Sequence, residues 1–319
     1  MTLEKCNSQK ISEQKIMLSL CIPTNGVKEW VLPVLQSIYS QHVSEDLYEV
    51  IVMDNGDNAD FKKSMTQIVG QHTNLKYYET EAKGFLGQVE SFKKATGSLI
   101  KFVNHRMCLL PGSIESLLKY IQENQEEKPI TYFANGRIRD IQTEERMNDF
   151  DSFVNRLSYW SSWSAGMAVW KEDFDHLPEG MEYHYLFPHI SILFSVTENR
   201  KYYIDNRELM EEIVSSSAAK GSYNLFRAFG IEYPGILLDL YRQNKISIKT
   251  FEKVKQDNFV FLTGQYFEFV VMKQKCSYSL DHAKEYVSVF YSYRAFRKQS
   301  YCSGILRYAA AFFKRLIKK

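Results

Sequence analysis

The chain has 319 residues, 45% of them hydrophobic, and a net charge of +2, which suits one large α/β unit with a smaller appendix and a sizeable core. Five cysteines, Cys6, Cys21, Cys108, Cys276 and Cys302, form no Cys-x-x-Cys pair, which argues against a zinc site or a disulfide framework and for a reducing compartment. Residues 1–15 are polar with no apolar signal core, and no run approaches the roughly 18 apolar residues of a membrane span.

Residues 16–22 are a short apolar run ending at Pro23 and predict a buried strand. Helical spacing follows over 30–39, through Val31, Leu35 and Ile38. A strand rich in Val and Ile is expected at 48–53, ending at Asp54. Next come a helix at 61–69, a strand at 75–78 and a helix at 85–95 stopped by Gly97. A strand at 99–103 precedes a helix opened by Pro111-Gly112-Ser113 and running to about Gln125. This alternation predicts a mostly parallel sheet with helices on both faces and ligands at the carboxyl ends of its strands. Those ends are 23–26, 54–57 and 104–106.

Beyond residue 130 the rhythm loosens. Strands are expected at 130–133 and 166–170, with a polar loop at 137–152 between them. An apolar helix is expected at 190–196, and helices at 234–242, 250–272 and 281–296. The division is thus 1–215 for the α/β domain and 216–319 for a small helical region. After Glu285 there is no acidic residue but eight basic ones, so the preceding chain is net acidic. On a wheel of 301–319, Ile305, Ala309, Phe312 and Leu316 share one face, with Arg307, Lys314 and Lys318 opposite. Such a helix is expected on an anionic membrane surface; a docked terminal helix with a solvated basic face is the alternative. Nucleic acid is not an expected partner, because the rest of the chain is acidic and carries no binding motif.

Four places in the first 125 residues together resemble the family 2 glycosyltransferases. Leu18-Ser19-Leu20-Cys21-Ile22-Pro23-Thr24 is similar to the family's opening strand. Glu49-Val50-Ile51-Val52-Met53-Asp54-Asn55-Gly56 is similar to its second strand and acidic ending. Gly84, Ala95, Thr96 and Gly97 match the helix leading into its next strand, and 109–121 resembles the helix after its metal motif. The resemblance implies a GT-A (Rossmann-like) fold and a nucleoside-diphosphate-sugar donor, a UDP-sugar foremost. It also implies attack by an acceptor hydroxyl on the anomeric carbon with inversion. That chemistry requires a nucleotide pocket, stabilisation of the leaving diphosphate and a general base.

By this resemblance Pro23, Thr24 and Asn25 form the loop under the nucleotide, and Asp54 holds the base or ribose. A carboxylate at a strand end accepts hydrogen bonds from a donor edge; Asp54 is otherwise a turn former, and Asp57 a loop residue or helix cap. The diphosphate site departs from the family pattern. Members carry Asp-x-Asp, which holds a divalent ion, whereas this strand ends Phe102-Val103-Asn104-His105-Arg106. Asn104 and His105 offer a poor site for Mg²⁺ or Mn²⁺, which prefer charged oxygens. No metal ligands are therefore assigned, although a weakly held Mg²⁺ or Mn²⁺ stays open. Arg106 is expected to neutralise the diphosphate directly, with Asn104 also at the nucleotide. The alternatives for Arg106 are a surface ion pair in a degenerate site.

Family members place an acidic pair at the start of the helix that follows a Gly-containing acceptor strand, here 164–170. No such pair stands in 183–196; His189 occupies the matching place after Pro188. An imidazole with a pKa of about 6.5 is a competent base. A buried or capping histidine is the competing reading, and His184 is the alternate base. Trp160 and Trp163, just before the acceptor strand, are expected acceptor contacts, because sugars present apolar C–H faces to aromatic rings. Packing onto the core is the alternative, above all for Trp170.

The expected function is sugar transfer to a saccharide or lipid-linked saccharide in cell-surface polysaccharide assembly. The enzyme is expected to be of the hexosyltransferase class, cytoplasmic and peripheral to the inner face of the cell membrane. The competing expectation is a non-catalytic nucleotide-sugar-binding or scaffold protein that has lost Asp-x-Asp. A nucleotidyltransferase would need a glycine-rich phosphate loop after the first strand, which is absent.

Overall fold

The computed structural model describes residues 16–195, 197, 199–213 and 223–317, with side chains up to Ile305. The polar stretch 1–15 and the expected division at 215/216 lie outside the described residues. The chain runs β1 (Leu18–Thr24), α1 (Lys28–Tyr39), β2 (Tyr48–Asp54), α2 (Ala59–Val69), β3 (Leu75–Glu79), α3 (Gly87–Lys93), β4 (Leu99–Phe102), β5 (Met107–Leu109) and α4 (Ser113–Asn124). Next come β6 (Ile130–Phe133), β7 (Glu144–Met147), α5 (Phe150–Leu157), β8 (Ala168–Trp170), α6 (Lys171–Asp175), α7 (Pro188–Leu193), β9 (Tyr202–Asp205) and β10 (Met210–Glu212). Five helices close it: α8 (Leu225–Arg227), α9 (Tyr233–Arg242), α10 (Ile248–Tyr266), α11 (Ala283–Val287) and α12 (Tyr293–Ile317).

The central sheet has the order β3-β2-β1-β4-β8 and is parallel except for β8. This is the mostly parallel α/β sheet that the strand–helix alternation predicts, followed by a helical region. β2 is buried along its whole length, so its Val/Ile run does not alternate. A second sheet, β6-β9-β7, joins the first where Tyr132 bridges Met167 in antiparallel fashion. β8 runs against β4 and β6 runs against β8, so β6 points the same way as β4. Gly166 makes this junction possible, since a Cβ there would lie 2.1 Å from the Tyr132 ring.

Three expectations are corrected. The stretch 137–152 is not all loop: it contains β7 and the first residues of α5. β7 is a charged edge strand whose partner β9 lies more than fifty residues on, so local pattern does not reveal it. β9 itself went unpredicted, although its Tyr-Tyr-Ile-Asp is fully buried. The helix expected at 281–296 is split into α11 and α12; Ser292 opens α12, its carbonyl accepting from Phe296 N at 2.9 Å. The expected tail helix lies within α12 as far as Ile317, and Ile305 is 61% exposed. The other wheel positions lie outside the described side chains. Among the described residues no helix is long and apolar enough to cross a membrane.

Two buried charges tie the sheet together. Glu49, 1% exposed, accepts from Ser19 Oγ, Lys76 Nζ and Thr96 N, each at 2.6 Å. Burial alone would raise its pKa, but these hydrogen bonds hold it below the ordinary 4.5. Lys101, 1% exposed, donates to the carbonyls of Phe102, Ala165 and Met167 and pins β4 to the turn before β8. Burial, partly opposed by Asp205, lowers its pKa to about 7.

Glu49→Ala should destabilise the fold by about 3–5 kcal/mol in urea unfolding, because buried donors lose a charged acceptor. The depressed pKa means Glu49 stabilises the fold above about pH 4.5 and ceases to do so as pH falls through its folded value. The loss on Glu49→Ala should therefore shrink as pH falls below 4.5. A loss independent of pH would contradict the carboxylate's role.

Candidate functional site

Because β1, β2 and β4 are parallel, Thr24, Asp54 and 103–106 share one sheet edge. Asn55 N donates to the Thr24 carbonyl at 3.0 Å. Only glycine fits at Gly56, where a Cβ would lie 2.2 Å from the Asn25 carbonyl oxygen. Asn58 donates to the Gly26 carbonyl at 3.0 Å and caps α2 by accepting from Phe61 N. The cap is thus Asn58, and Asp57 is an exposed loop residue. Pro23 is half-buried against Gly87, and Asn25 is exposed.

Asp54 is 1% exposed. Its Oδ1 accepts from Gly56 N and its Oδ2 from the Tyr77 hydroxyl, both at 2.8 Å. Burial raises its pKa, and those two bonds oppose the shift. Asp54 therefore builds the turn at the strand end, and each oxygen keeps one further lone pair.

The segment after β4 folds back on β1 and α1. Asn104 Oδ1 accepts from Arg106 N at 3.0 Å, which closes the turn and leaves that oxygen one further lone pair. His105 Nδ1 lies 3.0 Å from Thr24 Oγ1, and its ring packs on Trp30 with centroids 5.1 Å apart. Burial, then the neighbouring Arg106, pushes the His105 pKa down to about 3, so the ring is neutral. The Arg106 guanidinium lies 5.4 Å from the Trp30 ring centroid. Its Nε and Nη1 are buried and have no hydrogen-bond partner among the described residues. The surface ion pair considered for Arg106 is not found there.

A divalent ion does not fit these side chains. Asn104 offers one neutral oxygen, the His105 nitrogen faces Thr24, and the guanidinium brings its own positive charge. Among the described residues no three His, Cys, Asp or Glu side chains are grouped for a metal.

The tryptophans lie on a second stretch of the site. β6 ends on the same edge as β4, and Arg137 follows it with its guanidinium 5.9 Å from the Trp160 ring and 5.4 Å from the Trp163 ring. The Tyr132 hydroxyl lies 2.5 and 2.7 Å from the Trp160 and Trp163 carbonyl oxygens, its single proton shared between them, and fixes their spacing. Trp170 is core, 2% exposed with Nε1 donating to the Pro129 carbonyl at 3.0 Å.

His189 opens α7 behind Pro188 and is 2% exposed. Burial lowers its pKa to about 4, opposed by hydrogen bonds to the backbone of Ser162 and Ser161. Its Nε2 is buried without a partner among the described residues, and with the ring proton given to the Ser161 and Ser162 backbone from the other nitrogen, Nε2 carries a free lone pair. His184 Nδ1 accepts from Leu186 N and Phe187 N, and its Nε2 faces Glu232 at 3.3 Å. Its lone pair is thereby occupied.

Sequence reasoning missed Tyr77, Trp30, Gln88 and Arg137. Gln88 is 3% exposed with an unpartnered Nε2, one residue from Gly87 against Pro23. Trp30 was legible only as helix-face hydrophobe, and Tyr77 reaches Asp54 through the register of β2 with β3.

Tyr77→Phe should cost about 1–3 kcal/mol of unfolding free energy, because a buried carboxylate oxygen loses its donor. Unchanged stability would show that Asp54 Oδ2 does not depend on Tyr77.

The family model described as Glycosyl transferase family 2 matches residues 19–176. Among curated proteins no relative matches. The fold is similar to the crystal structure of S. aureus TarS, with TM-score 0.51 and 14% identity over 80% of this chain. This chain spans 44% of that TarS chain. It is also similar to S. aureus TarS 1–349 in complex with UDP, with TM-score 0.51 and 14% identity over 82% of this chain and 76% of that one. At such identity the likeness is one of fold. The matched stretch runs from β1 to the end of α6 and contains the edge that carries Thr24, Asp54 and Arg106.

Proposed function

We propose that this protein is a glycosyltransferase that moves a sugar from a nucleoside diphosphate sugar, a UDP-sugar foremost, to a saccharide or lipid-linked saccharide. The observation that carries this reading is the Arg106 guanidinium, with two buried nitrogens lacking acceptors among the described residues, beside the Thr24 and Asp54 turns. Buried guanidinium N–H groups without acceptors are unfavourable, and a diphosphate supplies the missing charge and acceptors. The family match over residues 19–176 and the likeness to a TarS structure that holds UDP support the same donor class.

In the proposed reaction Pro23, Thr24, Asn25 and Asp54 cradle the nucleoside, with Asn104 shaping the loop. An acceptor hydroxyl oxygen bonds to the anomeric carbon from the face opposite the diphosphate, giving inversion. The bond from that carbon to the diphosphate oxygen breaks, and its electron pair stays on the diphosphate, where Arg106 balances the charge. His189 Nε2 takes the hydroxyl proton, and Trp160 and Trp163 hold the acceptor. The basic end of α12 seats the protein on an anionic membrane surface, on the cytoplasmic side, where lipid-linked acceptors for surface polysaccharide would be met. The α/β domain is taken as 1–215 and the helical region as 216–319.

A second reading is a nucleotide-sugar-binding protein without turnover. The burial of His189 at 2% exposure favours it, since an acceptor must reach Nε2.

The test is incubation with UDP-, dTDP- and GDP-sugars, with and without EDTA, measuring released nucleotide against added acceptor lipid. Turnover should survive EDTA, and Arg106→Ala should lower kcat/KM about 100-fold or more. Binding without turnover would establish the second reading, and absence of any nucleotide-sugar binding would sink both. In His189→Gln, kcat should fall about 100-fold. The acid limb of the wild-type pH profile, set near the His189 pKa of about 4, should disappear. An unchanged rate would remove His189 from the base role.

A further inference from the structure

The Arg137 side chain forms no ion pair and no hydrogen bond among the described residues, yet its place is fixed, its backbone N donating to the Ala134 carbonyl at 3.0 Å. The chain leaves β6 through Asn135, whose Oδ1 accepts from Leu209 N and Met210 N at 2.7 and 2.9 Å and whose Nδ2 donates to the Met210 carbonyl at 2.9 Å. β10, which begins at Met210, pairs with β5, and Ile213 N donates to the Arg106 carbonyl at 2.9 Å. The loops carrying Arg137 and Arg106 are thus stitched to one short segment on one sheet edge. Glu208 is close, its carboxylate 2.9 Å from where a Gly136 Cβ would stand, but it forms no ion pair with Arg137 among the described residues.

The rings beneath Arg137 are also held. Trp160 and Trp163 are half-buried, and their carbonyls are clasped by the Tyr132 hydroxyl. Between them, the Ser161 and Ser162 backbone receives the His189 ring proton. A saccharide lying on either indole would place a hydroxyl near α7 and any anionic substituent under the guanidinium. An arginine over aromatic faces is oriented by them while its in-plane N–H groups stay free for a carboxylate or phosphate.

We infer that Arg137, with Trp160 and Trp163, forms an acceptor subsite that selects an anionic saccharide, one bearing a phosphate or carboxylate next to the acceptor sugar. This inference rests on the glycosyltransferase reading for its biological sense, but its binding test does not depend on turnover.

The full chain would be titrated calorimetrically with maltotetraose, maltotetraose 6-phosphate and a glucuronate-terminated tetrasaccharide, and separately with UDP. The wild type should bind at least one anionic probe about 10-fold or more tighter than maltotetraose, since a charge-assisted contact contributes on that scale. Phosphate and carboxylate arms identify which anion is preferred. Arg137→Ala should abolish that preference and leave UDP binding within about twofold, whereas Arg139→Ala, an exposed neighbour, should change neither. Equal binding of neutral and anionic probes by the wild type, or a preference that survives Arg137→Ala, would overturn the inference. Failure of the wild type to bind UDP would strike the donor reading instead, and the two failures are read from separate titrations.

Discussion

Arg106 keeps Nε and Nη1 buried at the carboxyl end of β4 with no acceptor among the described residues, and much of the surrounding construction serves to hold it there. Asn104 closes the turn onto Arg106 N, His105 docks on Thr24, and Trp30 from α1 lies against both His105 and the guanidinium. Behind it the parallel register of β1, β2 and β4 fixes the edge, and Glu49 locks the opposite end of the same strands. Folding around an unpaired cation is unfavourable unless a ligand completes it. That asymmetry is the physical basis for reading the edge as an anion site.

On the proposed reading, the site divides into a donor half and an acceptor half with different electrostatics. On the donor side His105 is kept neutral by burial and by its charged neighbour, so the positive charge at the strand end is that of Arg106. On the acceptor side His189 is also kept neutral, with a free lone pair beneath the segment that carries Trp160 and Trp163. A cation for the leaving group and an uncharged base for the attacking hydroxyl are the complementary requirements of glycosyl transfer. Segment 209–213 ties the two halves, touching Asn135 on one side and the Arg106 carbonyl on the other.

What the sequence disclosed followed from local pattern. β1 and β2 are apolar runs, and parallel strands covered on both faces read that way. The missing carboxylates at Asn104-His105-Arg106 were visible as residue types, but the orphaned guanidinium nitrogens were not, because they depend on how α1 brings Trp30 over the loop. β7 escaped notice because an edge strand with charged side chains gains its order from a partner far along the chain. Arg137 was hidden for the same reason, lying in a stretch that reads as loop. Lys101 illustrates the limit in the core, where a lysine within a strand is satisfied by three carbonyls that no periodicity announces.

The claim on which the rest depends is that a guanidinium, rather than a carboxylate-held ion, receives the diphosphate. Calorimetric titration of UDP into the protein in EDTA, beside Arg106→Ala and Arg106→Lys, tests it most directly. The account predicts wild-type binding without added metal, about 100-fold weaker binding for Arg106→Ala, and an intermediate value for Arg106→Lys, whose point charge lacks the guanidinium fork. Equal binding by all three proteins, or wild-type binding only after Mg²⁺ or Mn²⁺ is restored, would contradict it.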